Sequence, residues 1–375
     1  MTEIRYICMS DLHLGDKYSL LTRISEDGTQ ADLSAASKTL RALAECVKKI
    51  SFSQGTKPSL VLIGDALELA LARTHEALTA FEIFIKTMLN ADGTLPFSEI
   101  IFIPGNHDHH MWEATRETRY VENLSKEKAD VLVPFNHTSP MFCTAGSSCT
   151  DYFLGSLLKS GRIGALKQNL PVLTSYPNFA LKNDSRCVIM SHGHYIEPFY
   201  RVMSELDKRL FPQKDKPTDI EDLERQNFAW LDFFWSSMGR QGEAGKSVEH
   251  IYYSLNNSKE LRKLLVNLLK SFVKSDDKIS GDFLDSLVFE KALEWLIKKI
   301  SKRERINNQA QLGKDAVEGL YDYLNQYVAS QYNKENGQEN NDMVELETSF
   351  IFGHTHSPFC LRTPSKSGAF KKSFA

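Results

Sequence analysis

Five short runs in this chain carry side chains that can do chemistry: Ser10-Asp11-Leu12-His13, Gly64-Asp65, Gly105-Asn106-His107-Asp108, Ser191-His192-Gly193 and Gly353-His354-Thr355-His356. They collect Asp11, His13, Asp65, Asn106, His192, His354 and His356, a mixed imidazole and oxygen set suited to first-row divalent metals. Seven ligands exceed what one open catalytic ion needs. Two ions roughly 3.5–4 Å apart, sharing Asp65 as a bridge, use all of them and form a clamp for phosphoryl transfer. Two carboxylates against two divalent cations leave a net charge of about +2, for which a phosphate anion is the natural complement. With 20 Gly and 11 His in 375 residues, chance alone gives G-H-x-H about 0.02 times, and the ordered set of five far less often.

The motifs need a scaffold that gathers them, and each follows an apolar, β-branched run where α/β sheets put their ligand sites. The runs are Ile4 to Met9, Ser59 to Ile63, Ile100 to Ile103, Cys187 to Met190 and Ser349 to Phe352, with a further one, Val131 to Val133, that precedes no motif. Between the first two strands Ala36, Leu40, Leu43, Ala44 and Val47 share one helical face, and between the next two Ala77, Phe81, Phe84, Ile85 and Met88 do. Strand-helix alternation predicts a layered α/β core. From Tyr195 to about Thr348 the pattern changes to four helical stretches near 221–237, 259–274, 282–305 and 311–332, closing in a polar linker that begins at Asn333. The reading is therefore a core of residues 1–194 and 349–375, interrupted by a helical insertion over 195–348 with its linker at about 333–347.

Taken together the motifs resemble the calcineurin-like metallophosphoesterase superfamily, whose pattern runs D-x-H, G-D-x-x-[DE], G-N-H-[DE], H, G-H-x-H; the second is completed here by Glu68. The resemblance covers about 1–194 and 349–360 and implies a four-layer α/β/β/α sandwich. It implies one ion on Asp11, His13, Asp65 and His356, and another on Asp65, Asn106, His192 and His354, the metals being Mn, Fe or Zn. It further implies that His107 assists at the phosphoryl or leaving-group oxygen and that Asp108 orients it, making these two the catalytic pair. The physics agrees: a water bridging two ions loses its proton near neutral pH and attacks in line, while an oriented imidazole donates as charge builds. The family pattern continues past G-H-x-H, and here Phe359 to Arg362 and Ala369 to Phe374 are the segments that can supply further strands.

The expected activity is hydrolysis of a phosphoester or pyrophosphate bond in a phosphorylated substrate. A helical insertion before G-H-x-H also resembles that of bacterial UDP-diacylglucosamine pyrophosphatases, although His107 stands where those enzymes typically carry Arg. The reading from another class is a non-catalytic interaction module that retains the fold. The insertion leaves the core at His192 and returns at His354, so it can lie over the substrate as a lid. Lys291, Lys298, Lys299, Lys302, Arg303 and Arg305 load one stretch with positive charge, but Glu290, Glu294 and Glu304 are interleaved. A solvated face is the plain reading, with contact to an anionic lipid or membrane surface as its alternative. His75, His137 and His250 are read as ordinary histidines; His109 and His110 either line the cleft or sit on a solvated loop, and His194 is close enough for substrate contact.

Composition sets outer bounds. Hydrophobic residues at 42% and charged residues at 25% exclude collagen-like, coiled-coil and fully disordered classes. A formal charge of −3 and no basic, aromatic groove argue against nucleic acid as a partner. The first residues show no basic and apolar signal pattern, and no apolar window reaches the ~20 residues of a membrane span, so a cytoplasmic protein is expected. Six scattered cysteines fit a reducing compartment, and Cys143 and Cys149 stand at a spacing that is unusual for zinc. The oligomeric state is left open.

Overall fold

The computed structural model describes residues 3–52, 56–128, 130–142, 149–210, 213, 215–237, 259, 263, 312–337, 347–356 and 360. In chain order the elements are β1 (Tyr6–Met9), β2 (Arg23–Ile24), β3 (Ala31–Asp32), α1 (Lys38–Phe52), β4 (Ser59–Ile63), α2 (Thr74–Met88), β5 (Ile100–Ile103) and α3 (His110–Leu124). Then come β6 (Cys149–Thr150), α4 (Tyr152–Lys159), β7 (Val172–Thr174), β8 (Asn178–Lys182), β9 (Arg186–Ser191), α5 (Val202–Leu210), α6 (Ile220–Leu231), α7 (Lys314–Asp322), α8 (Ala329–Asn336) and β10 (Glu347–Phe352). The helix starts follow capping rules: the Ser37 hydroxyl accepts the amide of Leu40 before α1, and Asp219 accepts that of Asp222 before α6.

One sheet has the order β1-β4-β5-β7-β6, with β1, β4, β5 and β7 parallel and β6 antiparallel to β7. The second has the order β10-β9-β8, with β10 parallel to β9 and β8 antiparallel. Strand β4 is buried along its whole length, and alternation divides its residues. Leu60 and Leu62 pack with Leu40, Ala44, Phe81 and Ile85 of α1 and α2. Val61 and Ile63, joined by Ile101 and Ile103 of β5, instead meet Phe179 of β8 and Met190 of β9. Each fully buried side chain of this kind contributes about 1.5–3 kcal/mol. This packing carries the C-terminal ends of β1, β4, β5, β9 and β10, where the five motifs begin.

The mixed α/β architecture expected from the alternation is present, with two differences. Val131 to Val133 is not a strand; Leu132 is 93% exposed, and the place beside β5 is taken by Val172–Thr174. A three-residue apolar run offers too few side chains to hold a sheet position unless a face covers it. The polar stretch from Asn333 starts as helix, since α8 runs to Asn336 and ends at Gly337 with φ +66°. Glu335 holds that turn in place by accepting the amides of Met141 and Phe142.

Helices from the region read as an insertion share one hydrophobic cluster with β8 and β9: Ala180, Cys187 and Ile189 pack with Leu223, Leu231, Leu320 and Tyr323. The stretches 259–274 and 282–305 lie outside the described residues apart from Lys259 and Lys263, as do Cys143 and the segments 361–362 and 369–374. Among the described residues no helix is long and apolar enough to cross a membrane.

Candidate metal centre

All seven predicted ligands converge. Backbone bonds bring the motif loops together: Asp11 N–H donates to Gly64 O at 3.1 Å, His13 N–H to Asp65 O at 2.8 Å, and Gly353 N–H to His192 O at 3.1 Å. The side chains extend this, because His107 N–H donates to Asp65 Oδ1 at 2.8 Å and His354 N–H to the Asp11 carboxylate at 3.0 Å. The glycines before two of the ligands are sterically required. A Cβ on Gly64, at φ +73°, would stand 2.2 Å from the His192 ring, and one on Gly353 would stand 1.9 Å from Ser10 Oγ. Five ligands themselves, Asp11, His13, Asp65, His354 and His356, have φ between 44° and 70°. Non-glycine residues in that region carry local strain, and such strain concentrates where function fixes the geometry.

Two groups of ligands flank Asp65. In one, His356 Nε2 lies 3.1 Å from Asp11 Oδ1 and 3.2 Å from His13 Nε2. In the other, His192 Nε2 lies 3.2 Å from His354 Nδ1 and 3.1 Å from Asn106 Oδ1. Asp65 Oδ2 faces both, at 3.8 Å from His13 Nε2 and 3.3 Å from His192 Nε2. The second group is wholly buried, whereas the His356 side chain is 44% exposed, so the site opens on the Asp11, His13 and His356 side.

Hydrogen bonds on the far side of two of the rings, His192 and His13, fix their tautomers. His192 Nδ1 faces the Ile63 carbonyl at 3.2 Å, which can only accept, so its proton sits there. His13 Nδ1 faces Glu68 Oε2 at 2.9 Å in the same way, while His354 Nε2 stands 3.2 Å from Glu197 Oε1 as an ion-pair contact. His192 Nε2 therefore turns its lone pair toward His354 Nδ1, 3.2 Å away, with Asp65 Oδ2 beside them. Converging acceptors with the opposite nitrogens locked by carboxylate or carbonyl are what divalent ions require. The field asks for positive charge: burial alone would lower the His192 imidazole, but the Asp65 carboxylate, then Asp11 and Asp108, push it up to about 9. Burial opposes the charge on Asp65 too, yet His192, His107 and His13 hold its carboxyl well below the usual range. The residues present fit divalent cations.

The role expected for Asp108 is corrected. Its carboxylate accepts backbone N–H groups of Gly105 at 2.6 Å, Ala66 at 2.7 Å, Leu67 at 3.0 Å and Asp65 at 3.2 Å. It ties the Asp65 loop to the Asn106 loop and is a positioning residue. Burial, reinforced by the nearby Asp65 charge, raises its carboxyl above the usual range. The group on the His107 ring is Glu68, whose Oε1 lies 2.8 Å from His107 Nδ1. Glu68 thus serves His107 and His13 together; G-D-x-x-[DE] contained it, but nothing in the spacing told which ring it would meet.

Glu197, Tyr200 and Trp235 were not legible as site residues. The Tyr200 ring packs edge-on to His354 at 4.9 Å, and Trp235 lies 6.0 Å from His107 between ring centres. His194 is buried beside the site, its ring 5.7 Å from His192 and its Nε2 3.1 Å from the Tyr176 hydroxyl. His109 is buried and His110 opens α3, so neither is on a solvated loop. His137 is structural: its Nδ1 accepts from Arg116 Nη1 at 2.9 Å.

The family model for calcineurin-like phosphoesterases matches residues 4–220, more than half of the chain and four of the five motifs. The chain belongs to that family, a class of metal-dependent phosphoester hydrolases. No curated protein and no solved structure matched it.

Proposed function

We propose that the protein hydrolyses a phosphoester or pyrophosphate bond with two divalent ions held on either side of Asp65. The observation that carries this reading is the Asp65 carboxylate, one oxygen of which faces an imidazole nitrogen from each ligand group, at 3.8 and 3.3 Å. Asp11, His13 and His356 would hold one ion, and Asn106, His192 and His354 the other, with Asp65 shared. When bound, the ions supply Lewis acidity toward phosphoryl oxygens and a nucleophile at neutral pH.

The remaining work falls to the chain itself. Glu68 engages Nδ1 of His107, so Nε2 is the nitrogen that addresses a phosphoryl or leaving-group oxygen and donates its proton as negative charge develops. Asp108 keeps the loops of Asp65 and Asn106 in register, so bridge and general acid share one rigid unit. Tyr200 and Trp235 wall the site with apolar rings, which excludes water from the deeper ion and strengthens electrostatic interactions there.

The test is hydrolysis of p-nitrophenyl phosphate and bis-p-nitrophenyl phosphate by metal-stripped protein resupplied with Mn²⁺. Turnover in the wild type, reduced about 10²- to 10⁴-fold in His107→Ala at unchanged metal content, is the expected result. Metal-loaded wild type silent on both esters and on pyrophosphates would overturn the reading.

A further inference from the structure

A second cluster of ligand-type side chains lies outside the centre just described, where α3 meets α6. His109 Nε2 lies 2.8 Å from Glu224 Oε1, and that carboxylate also accepts from the hydroxyl of Tyr176 at 2.9 Å and from that of Tyr195. Glu224 is therefore a fixed acceptor, so the Nε2 proton of His109 points at it. This leaves the lone pair on Nδ1, which is buried and has no hydrogen-bond partner. Glu113 Oε1, one helical turn along at i+4, is likewise buried and without a partner. Glu113 Oε1 and Asp232 Oδ1 each stand 3.9 Å from His109 Nδ1, and Asp232 Oδ1 is also held by His110 Nδ1 at 3.2 Å, a bond that an ion would compete with.

These separations exceed a hydrogen bond, which ends near about 3.2 Å. They are close to the edge of a metal coordination shell: bonds of ~2.1 Å at tetrahedral angles give ligand pairs about 3.4 Å apart, so each oxygen has roughly 0.5 Å to close on Nδ1. We infer that His109 Nδ1, Glu113 Oε1 and Asp232 Oδ1 form a further divalent-cation site, with Glu224 as the carboxylate behind the histidine. A carboxylate behind a ligating imidazole is the usual support of such sites, and one imidazole with two carboxylates suits Zn²⁺. The charge balance agrees, since Arg116 engages the other Glu113 oxygen and Glu113, Glu224 and Asp232 still outnumber it. Burial alone would lower the His109 imidazole, but Glu224, Asp232 and Glu113 push it up to about 10, so the cluster calls for a positive charge at this ring.

The site joins two segments that touch the catalytic machinery. His109 is two residues beyond His107, and Asp232 is three before Trp235, which packs on the His107 ring. An ion here fixes the Trp235 wall to the start of α3.

The competing state is a doubly protonated His109 holding the cluster with no ion. The test loads metal-stripped full-length protein with Zn²⁺, desalts it and measures zinc by mass spectrometry for wild type, Glu113→Gln and Asp232→Asn. Each folded variant is expected to hold about one ion per chain fewer than the wild type. Asp232 is only partly buried, so Asp232→Asn decides the matter where Glu113→Gln fails to fold. Equal zinc content in wild type and folded variants would overturn the inference in favour of the proton. Because the readout is a difference between proteins with intact Asp65 centres, it does not depend on how many ions that centre holds.

Discussion

Glu68→Gln exposes the logic of the centre because it keeps shape and removes one acceptor. Glu68 Oε1 takes the amides of Ala70 at 3.0 Å and Leu71 at 2.8 Å as well as His107 Nδ1 at 2.8 Å. Its Oε2 faces only His13 Nδ1 among the hydrogen bonds described, at 2.9 Å. A glutamine has a single acceptor oxygen, which must stay with the three donors, so its NH₂ turns toward His13. His13 Nδ1 then becomes the acceptor and the ring proton moves to Nε2, the nitrogen facing His356 and Asp65. The substitution therefore places a proton where the ion proposed for Asp11, His13 and His356 would need a lone pair. Losses of this kind cost about 10- to 100-fold in metal affinity, or about 1.4 to 2.7 kcal/mol. Calorimetric titration of stripped protein with Mn²⁺ should show one of the two active-site affinities weakened by that factor, with turnover falling at limiting metal. His107 keeps its acceptor, so turnover should recover at saturating Mn²⁺. Unchanged affinities, or a rate loss that saturating metal does not restore, would refute the tautomer argument.

Two further outcomes follow from the same structure. Asp65→Asn removes the shared carboxylate and should lower both metal occupancy and rate; normal metal stoichiometry in a folded variant would contradict the bridge. Asp151 is buried where it accepts the Leu154 amide at 2.8 Å and the Thr174 hydroxyl at 3.0 Å, and burial pushes its carboxyl up from 3.8 to about 6. Between those values the unfolded chain has released a proton that the folded chain keeps, so this group makes stability fall as pH rises from about 4 to about 6, by up to about 3 kcal/mol. Asp151→Asn keeps its oxygen for the Leu154 amide and turns its NH₂ to the Thr174 hydroxyl, which then accepts, so both contacts persist without the charge. Its urea stability relative to wild type should improve at pH 7.5 compared with pH 4.5, and a pH-independent difference would show that the burial cost is absent.

What was legible in the sequence was the chemistry at strand ends. Asp11, Asp65, Asn106, His192 and His354 each follow a short apolar run, and parallel strands place such residues at one edge whatever the intervening chain does. Ser59–Ile63 and Ile100–Ile103 read clearly because burial on both faces leaves uninterrupted apolar runs. Roles that depend on long-range pairing were not legible. Spacing shows that Asp108 adjoins His107, but not that its carboxylate is spent on four amides while Glu68, 39 residues away, takes the ring. Glu224 and Asn227 lie on the buried face of α6, where a polarity pattern expects apolar residues; Glu224 is satisfied by His109 and two tyrosines, Asn227 by Ser204 and the Met203 amide. Asn333 to Asn336 looks like linker because its helix is stabilised by Glu335 reaching Met141, a contact 194 residues distant.

The most direct test of the central claim is anomalous diffraction at the manganese edge from crystals of the full chain grown with Mn²⁺. The account predicts two peaks sharing the Asp65 carboxylate, one against Asp11, His13 and His356 and the other against Asn106, His192 and His354. A single peak, or none within bonding distance of Asp65, would contradict it.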